Sequence, residues 1–181
     1  MDVLKAIRMR RSVRKYSDRP IPPKVIERLK AALRWAPSAC NFQPWHFVLV
    51  VDADLRRKLA AASRTQMWMA DAPVIVVGCG LPASAYQKMG GVGCSVDVDL
   101  GIALDHLTLA AVAEGLGTCW IGAFDEQAVK TLLGIPPSVK VVAMTPLGYP
   151  ASSDLIGPCD EARRKPPGEL FSIDTYSGPK G

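Results

Sequence analysis

The segment from Asp97 to Gly115 constrains this chain more than any other, because Leu100, Ile102, Leu104, Leu107, Leu109 and Val112 spread apolar character nearly all round one helix. A helix without a polar face has to be covered on every side. The cover comes from its own domain or from a second copy of the chain, so the segment predicts a long central helix and favours a dimer. With 181 residues, 49% of them apolar, the chain has material for one domain with a substantial core. Charges, Gly and Pro interrupt every apolar run before it reaches the roughly 18 residues of a membrane span. The start, Met1-Asp2-Val3-Leu4-Lys5, lacks the apolar stretch of a signal peptide, so a cytoplasmic protein without membrane attachment is expected.

Around the central helix the elements follow in order. Val3, Leu4 and Ile7 open a short helix bordered by the basic run Arg8 to Arg14. A second helix starts after Ile21-Pro22-Pro23, with Val25, Ile26, Leu29, Ala32 and Leu33 at helical spacing, and ends at Ala36-Pro37-Ser38. His46 to Val51 and Val74 to Cys79 read as buried strands rich in β-branched residues. Between them, Asp54 to Arg64 is a charged, helix-prone connector. Leu81 to Val96, with Pro82, Gly90, Gly91 and Gly93, reads as a mobile loop or lid. Thr118 to Gly122 suggests a short strand, Asp125 caps a helix that runs to Leu133 before Gly134 and Pro136, and Val139 to Tyr149 supplies a further strand. The mixed order, without regular βαβ spacing, argues for an α+β fold rather than a doubly wound sheet. The tail from Pro150 is too polar to form a core alone and is expected to wrap another surface, such as a partner subunit.

Five widely spaced cysteines with no CxxC pair, and only His46 and His106 to join them, fit reduced thiols better than disulfides or zinc. Both histidines read as structural, and Cys40 and Cys119 as small buried residues. The net charge of +5 comes largely from two clusters, Arg8 to Lys15 and Arg163-Arg164-Lys165. Nucleic-acid surfaces usually add interleaved aromatics or a recognisable module, so a small anionic ligand is the sharper reading. Arg10-Arg11-Ser12-Val13-Arg14 offers three guanidinium forks and a hydroxyl, which suit a phosphorylated cofactor, although a basic run is also compatible with a solvated surface. Gly115-Leu116-Gly117 is not a dinucleotide fingerprint, because it runs from helix to strand rather than from strand to helix.

Taken in order, Arg10-Arg11-Ser12-Val13-Arg14, Pro37-Ser38 with Asn41-x-Gln43-Pro44-Trp45, Gly115 to Gly122, Gly148-Tyr149-Pro150 and Arg164-Lys165-Pro166 resemble the signatures of FMN-dependent nitroreductases. The resemblance runs from about residue 2 to about residue 171. It implies a single domain, 1–181, with a three-layer α/β/α arrangement around a mainly antiparallel sheet. It also implies an intertwined homodimer, in which residues 150–181 form an extension around the partner.

The resemblance further implies that Arg10, Arg11, Ser12 and Arg14 bind the phosphate, ribityl chain and pyrimidine edge of FMN from one subunit, with Arg164 near the phosphate. Pro37, Ser38 and Asn41 come from the other subunit. The backbone of Ile121 and Gly122 approaches the reactive centre of the flavin, where a small residue lets the main chain come close; strand-end packing explains the same residue types. Gln66, with Arg64 as a second candidate, falls where relatives place a polar side chain against the flavin, and exposed-helix polarity explains it equally well. No side chain is assigned as catalytic and no metal is expected, since the chemistry resides on FMN.

The implied activity is ping-pong transfer of electrons from NADH or NADPH to small electron-poor acceptors such as nitroaromatics, quinones or free flavins. Two alternatives stand beside it. One is a flavin-dependent dehalogenase-like enzyme of the same fold. The other is a non-catalytic dimeric module that binds a phosphorylated ligand or nucleic acid through its arginines.

Overall fold

The structure is a computed structural model that describes residues 1–64 and 66–178. The last three residues of the expected C-terminal extension, 179–181, lie outside the described residues.

Helices α1 (Val3–Met9) and α2 (Pro23–Arg34) precede strand β1 (Trp45–Val50), and helix α3 (Ala53–Ala62) leads to β2 (Val74–Gly80). The long helix α4 (Val96–Ala113) is followed by the short strand β3 (Gly117–Thr118), helix α5 (Glu126–Leu133), strand β4 (Lys140–Gly148) and a last turn of helix, α6 (Pro167–Leu170). The strands form one antiparallel sheet in the order β1-β2-β4-β3. The expected α+β class and antiparallel sheet are therefore what the chain adopts. Local signals explain the helix ends. Pro23 sits in the first turn of α2, Asp52 caps α3 through the N–H of Leu55, and Asp125 caps α5 through the N–H of Ala128.

Alternation along β2 divides the core into two layers. Val74 and Val76 pack with Leu29 and Leu33 of α2 and Leu104 and Leu107 of α4, while Ile75, Val77 and Cys79 pack with Leu59, Met69, Val129 and Met144 on the other face. The β2 residues that face α4 beyond Val76 are glycines. A Cβ on Gly80 would stand 2.6 Å from Val96 Cγ2, so the bare backbone is what lets the helix sit down on the sheet. Burial of Leu100, Leu104 and Leu107, all fully covered, contributes roughly 1.5–3 kcal/mol per side chain.

The central helix is only partly covered by its own chain. Val98, at 47% exposure, Ile102 and Leu109 remain open or half-open on its outer side, and His106 lies half-buried there, not enclosed in the core. Strand β1 also departs from expectation. It is an edge strand with a single strand neighbour, β2, and its residues Trp45 to Leu49 are at most half-buried although they pack against both core layers; His46 on it is exposed.

Leu81 to Val96, expected as a mobile loop or lid, carries local structure. Pro82–Ser84 forms a helical turn, Met89 and Gly93 pair across a tight bend at Gly90-Gly91, and Ser95 exchanges hydrogen bonds with Tyr86. Several backbone groups left without a regular ladder are thereby satisfied within the segment. Part of the tail docks on its own subunit: Ala151 N–H donates to Lys15, Cys159 N–H donates to Arg8, and Leu155 and Ile156 pack on Val13, Tyr16 and Ala72. Beyond it, Phe171 at 74% and Ile173 at 88% exposure remain uncovered by their own chain. Among the described residues no helix is long and apolar enough to cross a membrane.

Candidate active site

The basic run after α1 leaves the helix at Arg10 and continues as extended chain beside β3. Val13 N–H donates to Thr118 C=O at 2.9 Å, and Ser12 forms a parallel bridge with Thr118. Val13 is buried, and Tyr16 closes the turn by donating its hydroxyl to Val13 C=O at 2.7 Å; burial pushes the Tyr16 hydroxyl far up from its ordinary value. A Cβ on Gly117 would lie 2.6 Å from Val13 Cγ2, so glycine is required for this approach. The arrangement buries Val13 and leaves Ser12 and Arg14 exposed on either side of it.

Other segments join this ledge. Arg14 lies 6.0 Å over the ring of Trp68, within cation–π range. Gln66 donates to Ala123 C=O at 3.4 Å, next to the exposed Gly122, and Ile121 is fixed by a two-way backbone bridge to Met144. Arg11 Nε donates to Gly157 C=O at 2.8 Å, and Arg164 approaches Cys159 Sγ at 3.6 Å. Residues 10–14, 66–68, 121–123 and 157–164 therefore converge in one chain. Arg10, Arg11, Arg14 and Arg164 carry no ion pair among the described residues. Unpaired guanidinium groups, a hydroxyl at Ser12 and an exposed glycine backbone are a donor set suited to a phosphorylated, partly anionic cofactor.

Two thiols register this field. Burial pushes the Cys119 thiol up, opposed by Arg14, by a hydrogen bond with Ser12 and by Arg10. Cys159 is held below its ordinary value, first by the hydrogen bond from Arg164, with Arg11 and Arg10 adding to it. Cys119 is buried as expected. Cys40 is not: it is exposed on an outward loop.

That loop holds the remaining expected site residues. Pro37, Ser38 and Asn41 make no hydrogen bond or ion pair with the arginine ledge within one chain, among the described residues. Ser38 Oγ accepts from Gln43 N–H at 2.9 Å, and Ala39 N–H donates to Asp99 Oδ1 at 2.9 Å. Cys40, Asn41 and Gln43 all adopt left-handed backbone, with φ of 51°, 55° and 50°. For residues with a side chain this costs about 1–2 kcal/mol each, somewhat less for Asn. Such a loop persists because its surroundings hold it.

The profile of the nitroreductase family matches residues 7–80 and 68–149. The chain belongs to the nitroreductase family. A protein of Methanothermobacter thermautotrophicus with the provisional name NADH dehydrogenase/NAD(P)H nitroreductase is 35% identical over 157 residues, covering 84% of this chain and 80% of the relative. The FMN reductase [NAD(P)H] of Bacillus subtilis is 29% identical over 181 residues, covering 91% of this chain and 69% of the relative. Among solved structures, a nitroreductase family protein from Clostridium novyi NT superposes with a TM-score of 0.76 at 30% identity, over 85% of this chain and 88% of that one.

Three contributors escaped the sequence reading. Trp68 carries no sequence motif, and only the structure places it under Arg14. Cys159 lies 149 residues from Arg10, whose carbonyl it faces at 3.8 Å, and no local pattern links them. Asp99 did leave a signal: Ser95 and Asp99 are polar residues four apart in an apolar helix, and that spacing brings them together on one face.

Proposed function

We propose that this chain is an FMN-dependent oxidoreductase that takes electrons from NADH or NADPH and passes them by a ping-pong mechanism to small electron-poor acceptors, including nitroaromatics, quinones and flavins. The observation that carries the reading is the convergence of four unpaired guanidinium groups, Ser12 and the exposed Gly122 on one ledge, in a member of this family. Its relatives' names, FMN reductase and NAD(P)H nitroreductase, support the same assignment. The dehalogenase-like and non-catalytic alternatives are not favoured.

FMN, when bound, supplies the centre that accepts and returns electrons. The chain binds and orients it. Arg10, Arg11 and Arg164 hold the phosphate, Ser12 the polar chain, and Arg14, steadied over Trp68, brings positive charge to the pyrimidine edge. A fixed cation there would stabilise negative charge at that edge of the bound group. Gln66 places an amide beside the backbone of Ile121 and Gly122, which lines the reactive face. Protons come from water, so no side-chain acid is assigned.

Pro37, Ser38 and Asn41 complete the site from a second subunit. Three uncovered apolar regions support a homodimer: the outer side of α4, helix α1 with Leu4 at 73% exposure, and the tail around Phe171 and Ile173. In this arrangement the tail beyond residue 164 wraps the partner subunit. Five unpaired cysteines fit a cytoplasmic setting.

The visible spectrum of the purified protein tests the proposal. Bound FMN near one per chain, bleached by NADH or NADPH and restored by a quinone, is the expected result. A colourless protein that also refuses added FMN overturns it.

A further inference from the structure

Asp99 lies on α4, away from the arginine ledge, and is 2% exposed. A buried carboxylate is stable only when its oxygens are fully engaged. Here Oδ1 accepts from Ala39 N–H at 2.9 Å, and Oδ2 accepts from the hydroxyl of Ser95 at 2.7 Å. Ser95 is itself tied to Tyr86 in both directions, its oxygen accepting from Tyr86 N–H and its own N–H donating to Tyr86 C=O. One carboxylate therefore joins the 38–43 loop to the core helix and, through Ser95, to the 82–95 hairpin.

The loop needs such an anchor. It contains no glycine, yet Cys40, Asn41 and Gln43 are all left-handed. Its internal ties, Ser38 Oγ to Gln43 N–H, Gln43 Nε2 to Asn41 C=O and the backbone bonds from Asn41 N–H to Ser38 C=O and from Phe42 N–H to Ala39 C=O, join residues within the loop and do not fix it against the rest of the fold. The charge-assisted bond from Ala39 N–H to Asp99 does so immediately before the first left-handed residue.

We infer that Asp99 is a positioning residue for cofactor binding: by fixing Ala39 it holds the 38–43 loop in its left-handed form and so places Asn41 for the FMN of the opposite subunit. The inference rests on the proposal that this loop contacts FMN across a dimer.

The test is a double-mutant cycle on the full-length dimer, read by the FMN dissociation constant from flavin fluorescence, with thermal melts and the visible circular dichroism of bound FMN alongside. Asp99→Ala and Asn41→Ala are each expected to weaken FMN binding roughly tenfold or more, the scale of one lost charged hydrogen bond. The double variant is expected to bind about as weakly as Asp99→Ala alone, because a displaced Asn41 has nothing left to lose. Asp99→Asn keeps a carbonyl acceptor for Ala39 N–H and is expected to fall between wild type and Asp99→Ala. It also keeps the test decisive should the alanine variant fail to fold.

A purely structural Asp99 would lower the melting temperature and give multiplicative effects on the dissociation constant, which overturns the inference. So does a normal FMN affinity in both Asp99 variants when Asn41→Ala binds weakly, and in that case the loop contact itself survives. If Asn41→Ala and Ser38→Ala both bind FMN normally, the contact across the dimer is wrong and the inference falls with it.

Discussion

The two halves of the proposed cofactor site are built in opposite ways. The arginine ledge is laid against the sheet: Val13 is buried, hydrogen-bonded to Thr118 and seated on Gly117, so Arg10 to Arg14 inherit the rigidity of β3 and β4. The 37–43 loop has no ladder and no buried side chain among residues 38–43; it contains three left-handed residues, closes on itself by internal hydrogen bonds and is tied to α4 through Asp99. The first half assembles within a single chain, whereas under the proposal the second reaches the cofactor from another copy. Binding energy and assembly are thereby separated. In the proposed dimer, one subunit would supply the arginine cluster for the phosphate, and the loop of the other would complete the site.

The sharpest way to break that comparison is to remove the foundation of the ledge. Gly117→Val places carbon atoms inside Val13, and overpacking of this kind costs about 1–3 kcal/mol or more. The expected outcome is a lower melting temperature together with loss of FMN binding in fluorescence titration. A Gly117→Val protein that binds FMN normally would show that the ledge does not depend on β3.

Next comes assembly. Ile102→Lys puts a charge on the half-open outer side of α4. If the partner covers that side, the variant is monomeric by light scattering, folded by circular dichroism, and retains only the weak flavin binding of an isolated ledge. A monomer with full affinity would mean that the loop contributes nothing from across the dimer.

A smaller effect separates the phosphate contacts from the rest of the ledge. Arg164→Ala is expected to weaken FMN binding roughly 10- to 100-fold, the range for a lost charged hydrogen bond. Riboflavin, which has no phosphate, is expected to bind it as it binds the wild type. Equal losses for both ligands would place Arg164 away from the phosphate.

The same contrast explains what could be read from the sequence. The ledge lies within ordered motifs on or near regular elements, and the periodicity of α4, the Asp125 cap and the β-branched run of β2 are all local signals. The loop hides its geometry, since nothing in Cys40-Asn41-Phe42-Gln43 announces left-handed backbone without a glycine. An edge strand looks like a buried one when its partner is unknown, which is why β1 reads as more buried than it is. At 81–96 the glycines mask the local pairing of Met89 with Gly93 and of Ser95 with Tyr86, which depends on contacts between residues four and nine apart. Contacts that close across the chain, such as Arg11 with Gly157, depend on tertiary placement and leave no local trace.

The smallest expected effect is a titration, and its sign follows from the ledge. The Cys159 thiolate is favoured first by the hydrogen bond from Arg164 and then by Arg11 and Arg10, so the thiol loses its proton below its ordinary value. Alkylation by iodoacetamide requires the thiolate. The alkylation rate of Cys159 is therefore expected to rise at lower pH than for an ordinary cysteine, and in Arg164→Ala the profile moves back up. Linkage fixes the matching stability effect. A depressed folded-state value stabilises the protein above the unfolded thiol value and is lost as pH falls through the folded one. The melting-temperature difference between wild type and Cys159→Ser should grow as pH rises across that window, and it should be small because the site is only half-buried. Bound FMN sharpens the experiment further. A phosphate placed on the same guanidinium groups adds negative charge beside the thiol and offsets their pull, so FMN loading should return the alkylation profile toward higher pH, whereas riboflavin should not move it. An identical profile with and without FMN would separate the thiol from the phosphate and leave Arg164 as a tie for the tail alone.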